Sequence, residues 1–292
     1  MEQNGNKVLS GKVCLITGAT SGHGFALACK MAKMGGEVII LGRDPLKCKE
    51  TSLKIATASG TEPPLFLVCD LSSGSQIDRA VDEFLSWGKP LHILVNNAGI
   101  VTRYRQENDL GYELTFAVNY LSCFHLTLRL IDVMKKSAPA RVVNISSDTH
   151  KIYPFDINDL HTLDNFNFMK AYGRSKHAIV CFTVELARRL NGTGVTINAL
   201  DPGPVASGIA SKNPGFIAVV ADFLMKMFFP SPFKACESAL YLASSHEVEG
   251  ITGCYFKYKK CKKPRLASPE VIQKLWEISE AMTGVRMALR IS

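Results

Sequence analysis

Short apolar runs and stretches of helical periodicity take turns along this chain. Val13-Cys-Leu-Ile-Thr17, Glu37-Val-Ile-Ile-Leu-Gly42, Leu65-Phe-Leu-Val-Cys-Asp70, Leu91-His-Ile-Leu-Val95, Arg141-Val-Val-Asn-Ile-Ser146-Ser147 and Val195-Thr-Ile-Asn-Ala-Leu200 all have the length and apolar content of buried strands. Between them the pattern predicts helices from Phe25 to Met34, from Pro45 onward, from Ser73 to Trp87 and from Gly111 to Met134. A further helix follows Lys170, where Ala178, Ile179, Phe182, Leu186 and Leu190 recur at helical spacing. The chain then reads as a helix from Phe233 to Ser245, a strand around Gly253 to Phe256, and an amphipathic helix from Pro269 to Met282. Strands alternating with helices predict an α/β protein with a parallel sheet wound on both faces. Ligands of such sheets bind at the carboxyl ends of the strands, where Gly18, Asn96, Ser147 and Pro202 fall.

No linker, internal repeat or low-complexity tract divides the chain, so the organisation expected is a tail over 1–10 and one domain over 11–292, with a substrate-side insertion at about 205–232. Nine cysteines are scattered, odd in number and mostly set within apolar runs, which predicts a reducing compartment and no disulfide framework. No metal site is expected. No apolar segment precedes Val13 and neither end carries a lipidation signal, so the expectation is a cytoplasmic protein that is not secreted. The net charge of +8 changes little, because the only dense basic cluster is Lys257, Lys259, Lys260, Lys262, Lys263 and Arg265. That cluster is a solvated loop or a contact to an anionic membrane surface, and no nucleic-acid partner is expected. The apolar stretch from Phe216 to Phe229 is too short to span a membrane; it lines a pocket or the core, or lies in a membrane interface.

Chemistry enters at the turns. After the first strand comes Gly18-Ala-Thr-Ser21-Gly22-His23-Gly24, and a strand, glycine turn and helix N-terminus build a phosphate site from bare N–H groups and the helix dipole. Its spacing is Gly-x-x-x-Gly-x-Gly, not the general Gly-x-Gly-x-x-Gly. Arg43 ends the second strand where a 2′-phosphate of an adenosine ribose would lie, or else is a surface charge beside a helix. Asn96-Asn97-Ala98-Gly99 closes the fourth strand with small residues that let a flat ring come close. Asn119 sits inside a long helix, where asparagine is disfavoured; it caps a kink or its amide has a task. Tyr172 and Lys176 fall one turn apart on one helix face. An ammonium near a phenol favours the phenolate, but a pKa near 7 needs about 4 kcal/mol, so Lys176 would need a second positive charge such as an oxidised nicotinamide ring.

Taken in order, Thr17-Gly18-x-x-x-Gly22-x-Gly24, Asn96-Asn-Ala-Gly99, Asn119, Ser147, Tyr172-x-x-x-Lys176 and Pro202-Gly203 resemble the motifs of the short-chain dehydrogenase/reductase family over nearly the whole chain. Arg43, the long Ser147 to Tyr172 separation and the ending Leu275-Trp276-x-x-Ser279-x-x-Met282-Thr283-Gly284 are most similar to the retinol dehydrogenase group, with the X-linked dehydrogenase/reductase and the WW-domain oxidoreductase among its relatives. The resemblance implies a single Rossmann-type domain and an oxidoreductase of lipid metabolism that uses NADP(H) in preference to NAD(H). Its substrate would be a lipophilic alcohol or carbonyl compound of retinoid, steroid or lipid-aldehyde type. The resemblance makes Tyr172 the general acid/base and Lys176 the holder of the nicotinamide ribose. Ser147, or its neighbour Ser146, would bond the substrate oxygen, and Asn119 would position a water. The cofactor would be held by Gly18, Ser21, Gly22, His23, Gly24, Arg43, Asp70, Leu71, Asn97, Ala98, Gly99, Tyr172, Lys176, Pro202, Gly203, Val205 and Ser207.

Two positions depart from the pattern: His23 replaces the usual isoleucine, and Pro204 the usual threonine. A homo-oligomer and a peripheral contact to an intracellular membrane stay open. A competing reading is a cofactor-bound scaffold or redox sensor that no longer turns over.

Overall fold

The computed structural model describes residues 7–161, 166–203 and 231–287. Its centre is an eight-stranded sheet in the order β3-β2-β1-β4-β5-β6-β7-β8. The strands are β1 (Val13–Thr17), β2 (Glu37–Gly42), β3 (Leu65–Val68), β4 (Ile93–Asn96), β5 (Ala140–Ile145), β6 (Val195–Asp201), β7 (Tyr255–Lys257) and β8 (Lys260–Lys262). Every neighbouring pair is parallel except the β7–β8 hairpin. The order reverses between β1 and β4, and it is outside the carboxyl ends of strands at such a switch point that open α/β sheets bind ligands.

The apolar runs are continuous because both faces are covered. Side chains alternate along a strand, so Val13, Leu15, Ile39 and Leu41 join one core while Cys14, Ile16, Val38 and Ile40 join the other. The first core is closed by helices α3 (Gly74–Ser86), α5 (Ser122–Lys136), α6 (Phe168–Arg189) and α9 (Pro269–Thr283). The second is closed by α1 (Gly22–Lys33), α2 (Pro45–Ser59) and α8 (Glu237–Ser244), and the short α7 (Pro232–Ala235) meets α1 through Phe233 edge-on to Phe25. Arg189 lies 3.9 Å over the Trp276 ring, which itself stacks near Phe124 and Phe182, so the C-terminal helix is pinned to α5 and α6.

The long helix expected from Gly111 is not uniform. It begins at α4 (Leu114–Phe116), capped by the buried Glu113 carboxylate, which accepts from the Thr115 and Phe116 amides at 2.8 and 2.7 Å. A π turn, Ala117–Leu121, then leads into α5. The whole Leu114–Lys136 run is long and apolar enough to cross a membrane, yet its most apolar window is 89% buried, so it is a core helix. Part of the basic cluster, read as a solvated loop or a contact to an anionic membrane surface, is the exposed edge strand β8 and not a loop. The stretch Phe216 to Phe229, and with it Pro204, Val205 and Ser207, lies outside the described residues.

Candidate active site

The glycine turn after β1 is fitted against the end of β4. Thr17 Oγ1 accepts from the Asn97 and Ala98 amides at 2.9 and 3.0 Å, and Asn97 Nδ2 donates to the carbonyls of Thr17 and Gly18 at 2.8 and 3.2 Å. Those donations fix which way the amide points, so its Oδ1 accepts from His23 Nδ1 at 2.8 Å. His23 is buried and burial lowers its pKa, leaving a neutral ring. The sequence left His23 between packing and a phosphate contact; its Nδ1 is committed to Asn97. Gly18 and Gly22 both take positive φ. A Cβ on Gly24 would strike Asn97 Nδ2 and come within 2.6 Å of the Gly18 carbonyl oxygen. Gly18 is equally closed, with the Ala98 Cα 2.9 Å from where a Cβ would stand. Backbone is therefore brought close on both sides of the turn, at the N-terminus of α1, as a pyrophosphate cradle requires.

The other cofactor-side residues sit around the same edge. Arg43 is exposed just past β2. Asp70, beyond β3, accepts from the Ser72 amide and hydroxyl at 2.9 and 2.8 Å, and Leu71 follows it half-buried. Pro202 and Gly203 follow β6, with the Gly203 amide donating to Asp201 at 3.0 Å.

The tyrosine and lysine come together as spaced. Asn167 caps α6 by accepting from the Met169 and Lys170 amides, both at 3.0 Å. Lys176 is 3% exposed, its Nζ donates to the Ile145 carbonyl at 2.9 Å, and it lies 5.4 Å from the centroid of the Tyr172 ring. Burial lowers the Lys176 pKa to about 8, opposed by Cys123 and Asp201. A Cβ on Gly99 would stand 3.5 Å from both Lys176 Nζ and Asn119 Oδ1, which places the end of β4 against the lysine. Asn119 lies in the π turn; its Oδ1 accepts from the Ile100 amide at 2.8 Å and its Nδ2 donates to the Ile100 carbonyl at 3.0 Å and to Ser175 Oγ at 3.1 Å. π turns gather at functional sites because they free and re-aim a side chain that an α turn would stack in line.

The two serines separate cleanly. Ser146 is 1% exposed and its hydroxyl donates to the Lys176 carbonyl at 3.0 Å, a structural bond. Ser147 is half-buried, lies close enough to the Tyr172 phenol to lower its pKa, and accepts from the Thr149 amide at 3.3 Å. The sequence asked for a second positive charge beside Lys176 before the phenol could be depressed, and the protein's own groups do not depress it. Burial of the hydroxyl, then the Asp201 carboxylate, pushes the Tyr172 pKa up to about 12, with Ser147 opposing. Lys176 is held by Ile145 and does not outweigh them.

Two residues that the motifs did not flag, Ser175 and Asp201, complete the arrangement with Thr17, which the glycine motif quoted without a task. Asp201 is buried at the end of β6, 3.6 Å from Lys257 Nζ. Lys257 and Tyr255 of β7 both bond Asp148, the tyrosine at 2.9 Å, so the hairpin is tied to the loop after Ser147. The only advance signal for Asp201 was its place between a strand and Pro202-Gly203. Phe155, in the loop after Ser147, stacks on His177 with centroids 4.8 Å apart and packs on the core. A cleft of about 500 Å³ also opens at the amino ends of the strands, bordered by Lys12, His92 and Arg141, at the opposite edge from Tyr172.

This geometry has known relatives. The short chain dehydrogenase family profile matches residues 12–215. The chain belongs to the short-chain dehydrogenase family. It is 36% identical to retinol dehydrogenase 14 of Homo sapiens over 95% of this chain and 88% of that one. It is 34% identical to polyprenol dehydrogenase of Homo sapiens over 94% of this chain and 86% of that one. Among solved structures, a putative NAD(P)-dependent gluconate 5-dehydrogenase from Beutenbergia cavernae, with NADP bound at low occupancy, matches with a TM-score of 0.69 and 28% identity, over 86% of this chain and 96% of that one. This short-chain dehydrogenase is thus an oxidoreductase of the retinol dehydrogenase group, on a fold that binds a nicotinamide cofactor.

Proposed function

We propose that residues 11–292 act as one domain that transfers a hydride between NADP(H) and a lipophilic alcohol or carbonyl compound, with Tyr172 as the general acid/base. The observation that carries the proposal is the meeting of Tyr172, Ser147, Lys176 and Asn119 where β4, β5 and the π turn converge. The cofactor fits the cradle because Gly18 and Gly24 leave no room for a Cβ there. Gly18, Ser21, Gly22, Gly24, Asn97, Ala98, Gly99, Pro202 and Gly203 would hold it, with Asp70 and Leu71 beside the adenine. When bound, it supplies or accepts the hydride. Ser147 orients the substrate oxygen, Tyr172 Oη gives or takes its proton, and Lys176 holds positive charge beneath the phenol.

Arg43 supports the phosphorylated cofactor: it is exposed beyond β2 and no ion pair or hydrogen bond ties it among the described residues. A guanidinium on a phosphate is a charge-assisted contact worth on the order of 1.5–3 kcal/mol, or about ten- to a hundredfold in affinity. NADPH should bind tighter than NADH by that factor in a fluorescence titration, and Arg43→Ala should erase the difference. Equal affinities in the unaltered protein would remove the assignment.

The substrate class follows from apolar chemistry. Two relatives are named for retinol and polyprenol, both lipophilic alcohols, and the segment from Phe216 to Phe229 supplies apolar residues after β6. A panel of retinal, steroid and aliphatic carbonyls with NADPH tests this directly. Burying a methylene gains about 0.8 kcal/mol, so kcat/KM should rise about fourfold per carbon along an aldehyde series until the pocket is filled. A flat series would assign the aromatic residues to the core alone. Tight NADPH binding with a blank panel would leave the silent scaffold instead.

A further inference from the structure

All nine cysteines are free thiols, and seven of them are buried. The remaining two meet. Cys261 is exposed on β8, Cys254 is half-buried just before β7, and their sulfurs are 2.7 Å apart. A covalent S–S bond is about 2.05 Å, so bonding needs only a small further approach. The register explains the contact. Phe256 pairs with Cys261, and Cys254 lies two residues before Phe256, so the thiols are diagonal neighbours on one face of the hairpin.

Two further observations make this pair reactive and its closure consequential. Cys261 is exposed on the edge strand of the sheet, so a small oxidant reaches its sulfur directly. Burial, then the neighbouring sulfur, holds the Cys254 thiol above its ordinary range, so the exposed Cys261 reacts first. The hairpin itself is under strain: Tyr258 and Lys259 take φ of 50° and 62°, positions suited to Asn-Gly rather than to two long side chains. A cross-link beside that turn would hold what the turn residues resist. The hairpin also reaches the site, since Lys257 pairs with Asp201 and the Tyr258 ring lies 3.8 Å from where a Cβ on Gly203 would stand.

We propose that Cys254 and Cys261 form a peroxide-reactive dithiol that closes to an intramolecular disulfide across the β7–β8 hairpin. The Cys261 thiolate attacks one oxygen of hydrogen peroxide. An S–O bond forms, the O–O bond breaks, and the departing hydroxide takes a proton to become water. The Cys254 sulfur then attacks the sulfenic sulfur, the S–S bond forms, and the S–O bond breaks as a second water leaves with the Cys254 proton. Two thiols lose two electrons and one peroxide becomes two waters. A metal clip at this place is disfavoured, since no group of three or more His, Cys, Asp or Glu residues gathers among the described residues.

The test needs no activity, so it stands apart from the dehydrogenase reading. The reduced full-length protein is treated with equimolar hydrogen peroxide, alkylated with iodoacetamide and mapped by mass spectrometry. The expected product has lost two hydrogens, carries a Cys254–Cys261 linked peptide, leaves the other thiols alkylated and is restored by dithiothreitol. Cys261→Ser should leave Cys254 reduced, and Cys254→Ser should stop at a Cys261 sulfenic acid trapped by dimedone. Cys254 oxidising equally well in Cys261→Ser, a bridge to any other cysteine, or Cys261 passing to sulfinic acid with Cys254 still free would each overturn the proposal.

Discussion

Tyr172→Phe is expected to lower turnover by about 10²–10⁴-fold while NADPH affinity barely moves. The substitution removes one oxygen and keeps the ring. Ser147 retains the Thr149 amide as a partner and Lys176 retains the Ile145 carbonyl, so neither neighbour is stranded. The direction of the tyrosine's pKa adds a second readout. With burial and Asp201 holding the phenol at about 12, the protein's own groups favour the protonated form, which is the one that donates during carbonyl reduction. Alcohol oxidation needs the phenolate, so its rate should climb with pH through the neutral and alkaline range, whereas reduction should stay nearly level until the phenol begins to ionise. Steady-state rates in both directions across pH would check this. Unchanged turnover in Tyr172→Phe would take the proton-transfer role away from Tyr172.

Gly24→Ala should abolish NADPH binding and destabilise the fold by about 1–3 kcal/mol. The added methyl would meet the Gly18 carbonyl at 2.6 Å and the Ala19 Cα at 3.0 Å, both backbone atoms that cannot rotate away. It would also strike Asn97 Nδ2, whose position is locked by Thr17, Gly18 and His23. Relief requires the cradle to open. Gly74→Ala is the comparison, because its new methyl finds its nearest atom 3.4 Å away in the His125 ring and should leave cofactor titration and melting close to those of the parent. Normal NADPH binding in Gly24→Ala would mean that the turn is not the phosphate cradle.

The first two strands could be read to the residue because their apolar runs are continuous and bounded by charge or glycine. The third and fifth end earlier than their runs: Cys69 and Ser146 still donate to Gly42 and Leu200 at 2.9 and 2.7 Å, one bond beyond the regular ladder. β8 was missed because Lys260-Cys-Lys262 has no apolar period; its pairing with β7 makes it a strand, and lysines on an edge discourage further pairing. The π turn was invisible except as an out-of-place Asn119, since residues 115–128 are buried all round and leave no polar face in which a phase shift could show. The site's residue types were legible from motif order, but their pairings were not. Nothing in the sequence joins His23 to Asn97 or Asp201 to Lys257, because each pair is made by elements that the fold brings together from distant parts of the chain. Tyr172 shows the same limit in energetic form: the need for positive charge beyond Lys176 was readable, and the burial behind it was not.

The π turn also says something about length as a coded quantity. Its five residues occupy a stretch whose flanks are fixed, by the Glu113 cap on one side and by the packing of Phe124 on Trp276 on the other. A π turn holds one residue more than an α turn would hold between the same two ends. Deleting one residue from 117–121 would close the surplus turn into ordinary α geometry without moving either flank, and would draw the Asn119 amide away from Ile100. In this chain the position of that amide is a property of how many residues the gene spells there, as much as of which ones.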